Sequence, residues 1–322
     1  MRNNITGYDV GALMYCPANA HETIVESLQN EQFSKPFSLA FCLEDTVRED
    51  AVEEAEEKLF QTLTRLMDAK KQRDFYIPLI FIRIRSPKQL DRLVSRFSIF
   101  DDILTGYILP KFFIENCDDY ISIIRTANAA GYKYYYMPIF ESAAMIDLKS
   151  RHDNLTIVKE KLNTISDSIL NIRVGGNDFS HAFGLRRRVT DTIYDVKPVA
   201  DLLIDIITTF STQYVVSGPV WEYFDGDGWD TGLRRELELD MLSGFIGKTV
   251  IHPKQIAIVN EALRVSSDDY NDACSILNWD PSSDSLVSAS AEATRMNEYN
   301  THFNWANRVI KLAHTFGVKS AD

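Results

Sequence analysis

The sequence predicts a (β/α)8 TIM barrel with a C-terminal helical extension. Three observations predict it: eight short apolar runs rich in β-branched and aromatic residues, an amphipathic segment behind each run, and no GxGxxG turn after the first run. Strict strand–helix alternation implies parallel strands joined by right-handed crossovers. Eight such units in about 260 residues match the usual size of a barrel. A doubly wound open sheet commonly has fewer strands and often a glycine-rich first turn.

The runs follow one another in order. Ala12–Pro17 opens the series, with a helix expected from near Asn19. Phe37–Asp45 precedes a helix over Arg48–Gln72, whose early acids Glu49, Asp50, Glu53 and Glu54 oppose the positive end of the helix dipole. Tyr76–Ile84 precedes a helix opened by Pro87, a favoured first-turn residue. Thr105–Lys111 precedes a helix over Cys117–Ala130, closed by Gly131 as a C-cap. Tyr134–Phe140, Ile169–Gly175, Tyr214–Ser217 and Lys248–His252 complete the eight, the last followed by a helix over Lys254–Val265. The expected domains are therefore a barrel over residues 1–265 and an extension over 266–322. The extension carries a Ser/Asp-rich joint and a helix around Asn304–Phe316, either behind a plain linker or as an arm packed on a neighbouring subunit.

Composition narrows the function. The 322 residues hold 46 acids against 34 bases, a net charge of −12. Without a basic block, that balance argues against nucleic-acid binding, which draws its affinity from neutralised phosphates. The mean hydropathy is −0.17, no apolar stretch reaches the length of a membrane span, and Met1-Arg2-Asn3-Asn4 leads into no signal-type segment. Cys16, Cys42, Cys117 and Cys274 are scattered with no CxxC, as expected of reduced thiols in a cytoplasmic protein. The six histidines, His21 among them, show no HxxxH or HxH spacing for zinc.

Barrel active sites lie at the C-terminal strand ends, and five consecutive ends are polar here. They read Glu44-Asp45, Arg83-Ile84-Arg85, Pro110-Lys111, Glu141-Ser142 and Gly175-Gly176-Asn177-Asp178. Singly, each has an ordinary alternative: Asp45 and Asp178 as helix N-caps, Glu141 in a first helical turn, Arg83 paired with Glu44 or Asp45, Lys111 as a rim residue. Jointly, two carboxylates with few other ligands suit Mg²⁺, which keeps water and substrate oxygens in its remaining positions. Asp225-Gly226-Asp227-Gly228-Trp229-Asp230 lacks the EF-hand pattern and reads as an acidic loop with Asp230 capping the next helix. Arg186, Arg187 and Arg188 either grip a phosphate or carrier, or form surface ion pairs.

The ordered set of motifs resembles the citrate-lyase β-subunit branch of the HpcH/HpaI aldolase superfamily. Pro17-Ala18, Leu43-Glu44-Asp45-Thr46-Val47, Arg83-Ile84-Arg85, Leu109-Pro110-Lys111, Phe140-Glu141-Ser142-Ala143 and Gly175-Gly176-Asn177-Asp178 follow the family order, and Gly244-Phe245-Ile246-Gly247-Lys248-Thr249-Val250-Ile251-His252-Pro253-Lys254-Gln255 is the longest match. The resemblance implies a Mg²⁺-dependent carbon–carbon lyase or aldolase acting on a 2-oxo- or 3-hydroxy-acid through a metal-stabilised enolate. It makes Glu141 and Asp178 the metal ligands, Arg83 the substrate-binding and charge-stabilising residue, and Glu44 and Asp45 its support. Arg85 replaces the usual Asn and joins Lys111 as an expected contact for a small anionic organic acid. Gly11-Ala12 stands where relatives carry an Arg-Ser for the acyl carrier, so acyl-CoA is not expected. Glu298 is either a solvated surface residue or, by the resemblance, the counterpart of an Asp that in relatives can enter a neighbouring subunit's site as acid or base, and the resemblance implies a homo-oligomer, a trimer or hexamer. The tail also resembles a branch linked to tellurium-resistance gene clusters. The alternatives are a ligand-binding or assembly barrel with little catalysis, and a biosynthetic lyase for a phosphorylated substrate.

Overall fold

The computed structural model describes residues 5–20, 23–291 and 293–320. Met1-Arg2-Asn3-Asn4 and His21 lie outside the described residues. The chain divides into two compact units, residues 1–259 and 260–322.

In the first unit, β1 (Ala12–Pro17), β2 (Ser38–Cys42), β3 (Leu79–Arg83), β4 (Leu104–Leu109), β5 (Tyr135–Phe140), β6 (Ile172–Val174), β7 (Val216–Ser217) and β8 (Lys248–Val250) form one parallel sheet. Its order runs β7-β6-β5-β4-β3-β2-β1-β8, and a parallel bridge between Gly218 and Lys248 joins the two ends of that order. All eight expected runs carry strands: β1 matches its run, β4 starts one residue earlier and ends two residues sooner, and the other six are shorter than their runs because flanking positions turn into the loops. The predicted TIM barrel is the fold.

Helices follow the strands: α1 (Ile24–Gln29), α2 (Val52–Gln72), α3 (Pro87–Arg96), α4 (Cys117–Ala129), α5 (Arg151–Asn163), α6 (Gly176–Ala182), α7 (Lys197–Phe210), α8 (Trp229–Ser243) and α9 (Pro253–Leu263). Residues Leu59, Leu63 and Leu66 of α2 are fully buried at helical spacing, the apolar stripe that seats a helix on a barrel. α3 opens as its sequence implies, with Pro87 in the first turn and Ser86 accepting from the Gln89 N–H, a cap worth about 1 kcal/mol. Beyond α4, Gly131 takes φ +92°, which glycine adopts without the steric cost of a Cβ. The cap of α8 differs from expectation. Gly228 is its N-cap, in a left-handed conformation, and Asp230 sits in the first turn, where its charge still opposes the helix dipole.

Leu13, Ala40, Phe81, Ile108, Met137, Ile139 and Leu170 fill the barrel interior. Their register fixes which later residues share that interior. Ala40 pairs with Tyr15 and with Phe81, Ile108 pairs with Arg83, and Ile139 pairs with Arg173. Partners in a parallel ladder project to the same face, and alternate residues repeat it. Tyr15, Arg83, Glu141 and Arg173 therefore all face inward.

The second unit contains α10 (Ser267–Leu277), β9 (Val287–Ala289), β10 (Met296–Glu298) and α11 (Tyr299–Phe316). β9 and β10 pair as an antiparallel hairpin that the small-residue stretch did not announce. Buried Asp272 holds the unit together through Arg295 at 2.6 Å and Asn297 at 2.8 Å. No helix among the described residues is long and apolar enough to cross a membrane. All four cysteines are free thiols, three of them buried.

Candidate active site

The ends of β2, β3, β4 and β5 and the start of α6 bring charged residues onto one rim. Arg83 closes β3 and is buried. Its Nη2 lies 3.0 Å from Glu44 Oε2, 3.2 Å from Asp45 Oδ2 and 3.1 Å from Glu141 Oε1. One nitrogen thus serves three carboxylates, while the buried Nε has no acceptor. The guanidinium also stands over the Tyr15 ring, 5.5 Å from its centroid. Arg83 takes both ion-pair partners that the sequence offered it and adds Glu141.

Lys111 contributes twice. Its Nζ donates to Glu44 Oε1 at 2.9 Å, and its backbone N–H donates to Glu141 Oε1 at 3.0 Å. The second bond depends on an unusual backbone: Lys111 has φ +50°, which turns the N–H toward the site against the preference of an L-residue. Glu44 Oε2 in turn accepts from the Asp45 N–H at 2.7 Å. Burial and the neighbouring Asp45 raise the Glu44 carboxyl above its ordinary value, against the pull of Arg83 and Lys111. Burial also acts to raise Asp45, yet its bond to Glu44 and the charges of Arg83 and Lys111 hold it below its ordinary value.

Glu141 is 5% exposed, and burial pushes its carboxyl up to about 8, with Asp178 adding to the rise and Arg83 opposing it. Its Oε1 takes the Arg83 and Lys111 donors. Among the described residues no donor reaches Oε2. That oxygen and Asp178 Oδ2 both border Gly175, lying 2.5 and 3.3 Å from the point where a Cβ would stand there. A side chain at residue 175 would fill the space between the two carboxylates. Asp45 and Asp178 cap no helix: the N-cap of α2 is Ala51 and that of α6 is Gly175.

Two expected contacts are used otherwise. Arg85 Nη1 donates to the carbonyls of Leu43, Glu44 and Val47 at 3.1, 3.0 and 2.9 Å. It clamps the loop that carries Glu44 and Asp45. Arg187 is buried against Trp221 and bonds Glu236 at 3.0 Å. Arg188 bonds Asp191 at 2.8 Å, and Arg186 lies 3.5 Å from Glu222. The triple-arginine run therefore forms ion pairs, buried at Arg187 and exposed at Arg186 and Arg188. Glu298 belongs to the second unit, where its backbone N–H donates to His302 Nδ1 at 3.0 Å.

The longest motif turns out to be scaffold. Lys248 is fully buried between Glu236 at 2.8 Å and Asp240 at 2.7 Å. Gln255 Oε1 accepts the N–H groups of Ile251 and His252, and its Nε2 donates to the carbonyls of Trp221 and Tyr223. Sequence reasoning missed Tyr15 and Arg173. The available signal was a lone arginine inside the apolar run Ile169–Gly175.

The profile of the C–C bond lyases of the TIM-barrel fold matches residues 4–318. The chain belongs to that family. It is thus a carbon–carbon lyase by descent. No curated protein matches the sequence significantly. Solved structures share the fold at low identity. CitE of Mycobacterium tuberculosis, solved with magnesium, acetoacetate and coenzyme A, is 18% identical with a TM-score of 0.62, over 95% of this chain and 98% of that one. A citrate lyase of Burkholderia xenovorans LB400 is 13% identical with a TM-score of 0.69, over 97% and 94%. The citrate lyase beta subunit of M. tuberculosis, complexed with oxaloacetate and magnesium, is 18% identical with a TM-score of 0.53, over 80% and 99%.

Proposed function

We propose that this lyase makes or breaks a carbon–carbon bond in a 2-oxo- or 3-hydroxy-acid with Mg²⁺ held by Glu141 and Asp178. The observation that carries the reading is the pair of carboxylate oxygens, Glu141 Oε2 and Asp178 Oδ2, bordering Gly175 with no donor among the described residues on the former. Like charges held close without donors are unfavourable alone and favourable around a cation. The donor set fits magnesium. It is all hard oxygen and it numbers two carboxylates, which leaves the remaining positions to water and substrate oxygens. Relatives solved with magnesium and oxaloacetate or acetoacetate agree with it.

When bound, Mg²⁺ supplies Lewis-acid polarisation of a substrate oxygen. The protein supplies the rest. Arg83, anchored through Nη2, keeps its Nε for an oxygen of the substrate on which negative charge develops, a stabilisation of a few kcal/mol per donor. Glu44 and Asp45 hold Arg83 in place, and Lys111 locks Glu44. The Glu44–Asp45 pair, one carboxyl raised and its neighbour lowered, is suited to hold a proton near the reacting carbon. The proposal extends to Glu298 as an acid or base delivered to a neighbouring copy's site in a homo-oligomer. Arg187 and Arg188 are spent on Glu236 and Asp191, which disfavours a grip on phosphate at that run.

Calorimetric titration with Mg²⁺ tests the site. Asp178→Ala should lose at least tenfold in affinity relative to wild type, and equal affinities would overturn the metal assignment. Truncation after residue 265 should abolish activity and change the oligomer size, and an active truncated monomer would remove Glu298 from the proposal.

A further inference from the structure

Arg173 sits in the middle of β6, two residues before Gly175, and is 1% exposed. The pairing of Ile139 with Arg173 directs its side chain into the barrel, beneath the two carboxylates that border Gly175. There Nη2 donates to Thr249 Oγ1 on β8 at 2.6 Å, while Nε and Nη1 have no hydrogen-bond partner. The ionisable groups acting on it are the Tyr15 phenol and the Arg83 guanidinium, with no carboxylate among them.

That arrangement is costly for a chain that only needs to fold. A buried guanidinium whose partners are the Thr249 hydroxyl and the Tyr15 phenol loses its hydration without a counter-charge. Burial accordingly presses Arg173 below the ordinary arginine value. Buried polar groups are nearly always satisfied, so an orphaned buried cation calls for a partner that arrives later. Arg83, by contrast, is matched by three carboxylates. Tyr15 feels both guanidinium groups and lies under that of Arg83, so the interior presents a cation at the metal end and a second one deeper.

We infer that Arg173 and Tyr15 form a second anion-recognising subsite, and that the substrate carries an anionic group remote from the one held at Arg83 and the metal. The inference rests on the proposed function and deepens it by naming a dianionic substrate class. Arg173 is then a specificity residue: it supplies N–H donors to the remote carboxylate or phosphate, and Tyr15 supplies a hydroxyl. A substrate with one anionic group leaves both idle and the buried charge unmatched.

The test uses the full-length protein with Mg²⁺ and three 2-hydroxy acids as unreactive stand-ins for the 2-oxo acids: lactate with one carboxylate, malate with two, and 3-phosphoglycerate with a phosphate as its second anion. Calorimetry should show at least tenfold tighter binding of malate or 3-phosphoglycerate than of lactate, and the tighter of the two names the remote group. Arg173→Met should erase that preference while lactate and Mg²⁺ affinities stay unchanged. Arg173→Lys should restore part of it, and Tyr15→Phe should weaken it several-fold. If Arg173→Met fails to fold, the Lys and Phe variants carry the same comparison. Equal binding of all three acids by wild type, or an undiminished preference in the variants, overturns the inference and leaves the metal site standing. Binding of none of them in the presence of Mg²⁺ overturns the inference, while the metal reading stands or falls on the Mg²⁺ titration of wild type against Asp178→Ala.

Discussion

The backbone N–H of Lys111 donates to Glu141 Oε1 at 3.0 Å from a residue held at φ +50°. A left-handed conformation costs a non-glycine residue roughly 1–2 kcal/mol, and glycine almost nothing. Replacing Lys111 by Gly or Ala removes the same Nζ contact to Glu44 and keeps the N–H. Lys111→Gly should therefore exceed Lys111→Ala in unfolding free energy by about 1 kcal/mol in urea titrations. Equal stabilities would mean that the backbone there is unstrained.

Glu141 supplies a pH dependence. Its carboxyl rises from an ordinary 4.5 to about 8 in the folded, metal-free protein. Between those values the folded state binds more protons than the unfolded state, so this group's contribution is full below 4.5 and fades as pH climbs toward 8. Mg²⁺ binds the ionised form and should reverse the trend. The magnesium-induced rise in Tm should be small at pH 5 and larger at pH 8, read by scanning fluorimetry in matched ionic strength. A rise independent of pH would contradict the assignment of Glu141.

Arg85 is expected to act on the loop it clamps. Three carbonyls bonded by one partly buried guanidinium lose their donor in Arg85→Ala, which should cost about 2 kcal/mol at typical hydrogen-bond values. Faster proteolysis near residues 43–47 should accompany the loss. Unchanged stability with a raised KM would instead return Arg85 to the substrate-binding role read from its position beside Arg83.

The arginine run offers a clean contrast. Arg187→Ala leaves buried Glu236 with Lys248 as its remaining cation, and breaking such a pair typically costs 3–5 kcal/mol. Arg186→Ala removes an exposed contact at 3.5 Å from Glu222 and should change stability by less than about 1 kcal/mol. Chemical denaturation of both variants decides the matter. Loss of substrate affinity in Arg186→Ala with no change in stability would favour the phosphate-gripping alternative.

Much of the fold was legible because the runs ending at Arg83, Leu109 and Phe140 are continuously apolar and punctuated by caps such as Ser86-Pro87 and Gly131. The hairpin at residues 287–298 was not, since its short strands bury little and carry no alternating pattern. Within the site, Glu44, Asp45, Arg83, Lys111, Glu141 and Asp178 stood out as polar residues closing apolar runs. The bonds of Arg85 to the carbonyls of Leu43, Glu44 and Val47 were not legible, because carbonyl groups that converge only in the folded loop leave no mark on side-chain type.

By itself, the sequence determined the strand–helix order, the charged rim and the family, for these depend on residue type and spacing along the chain. Tertiary structure alone decided how the charges are spent. Lys111 turns its N–H onto Glu141, Arg187 and Lys248 disappear into ion pairs with Glu236, and Arg173 is left facing inward without an anion. Closing the sheet through Gly218 and Lys248 makes distant positions neighbours, and Coulomb interactions inside a low-dielectric interior depend on that proximity rather than on order in the chain.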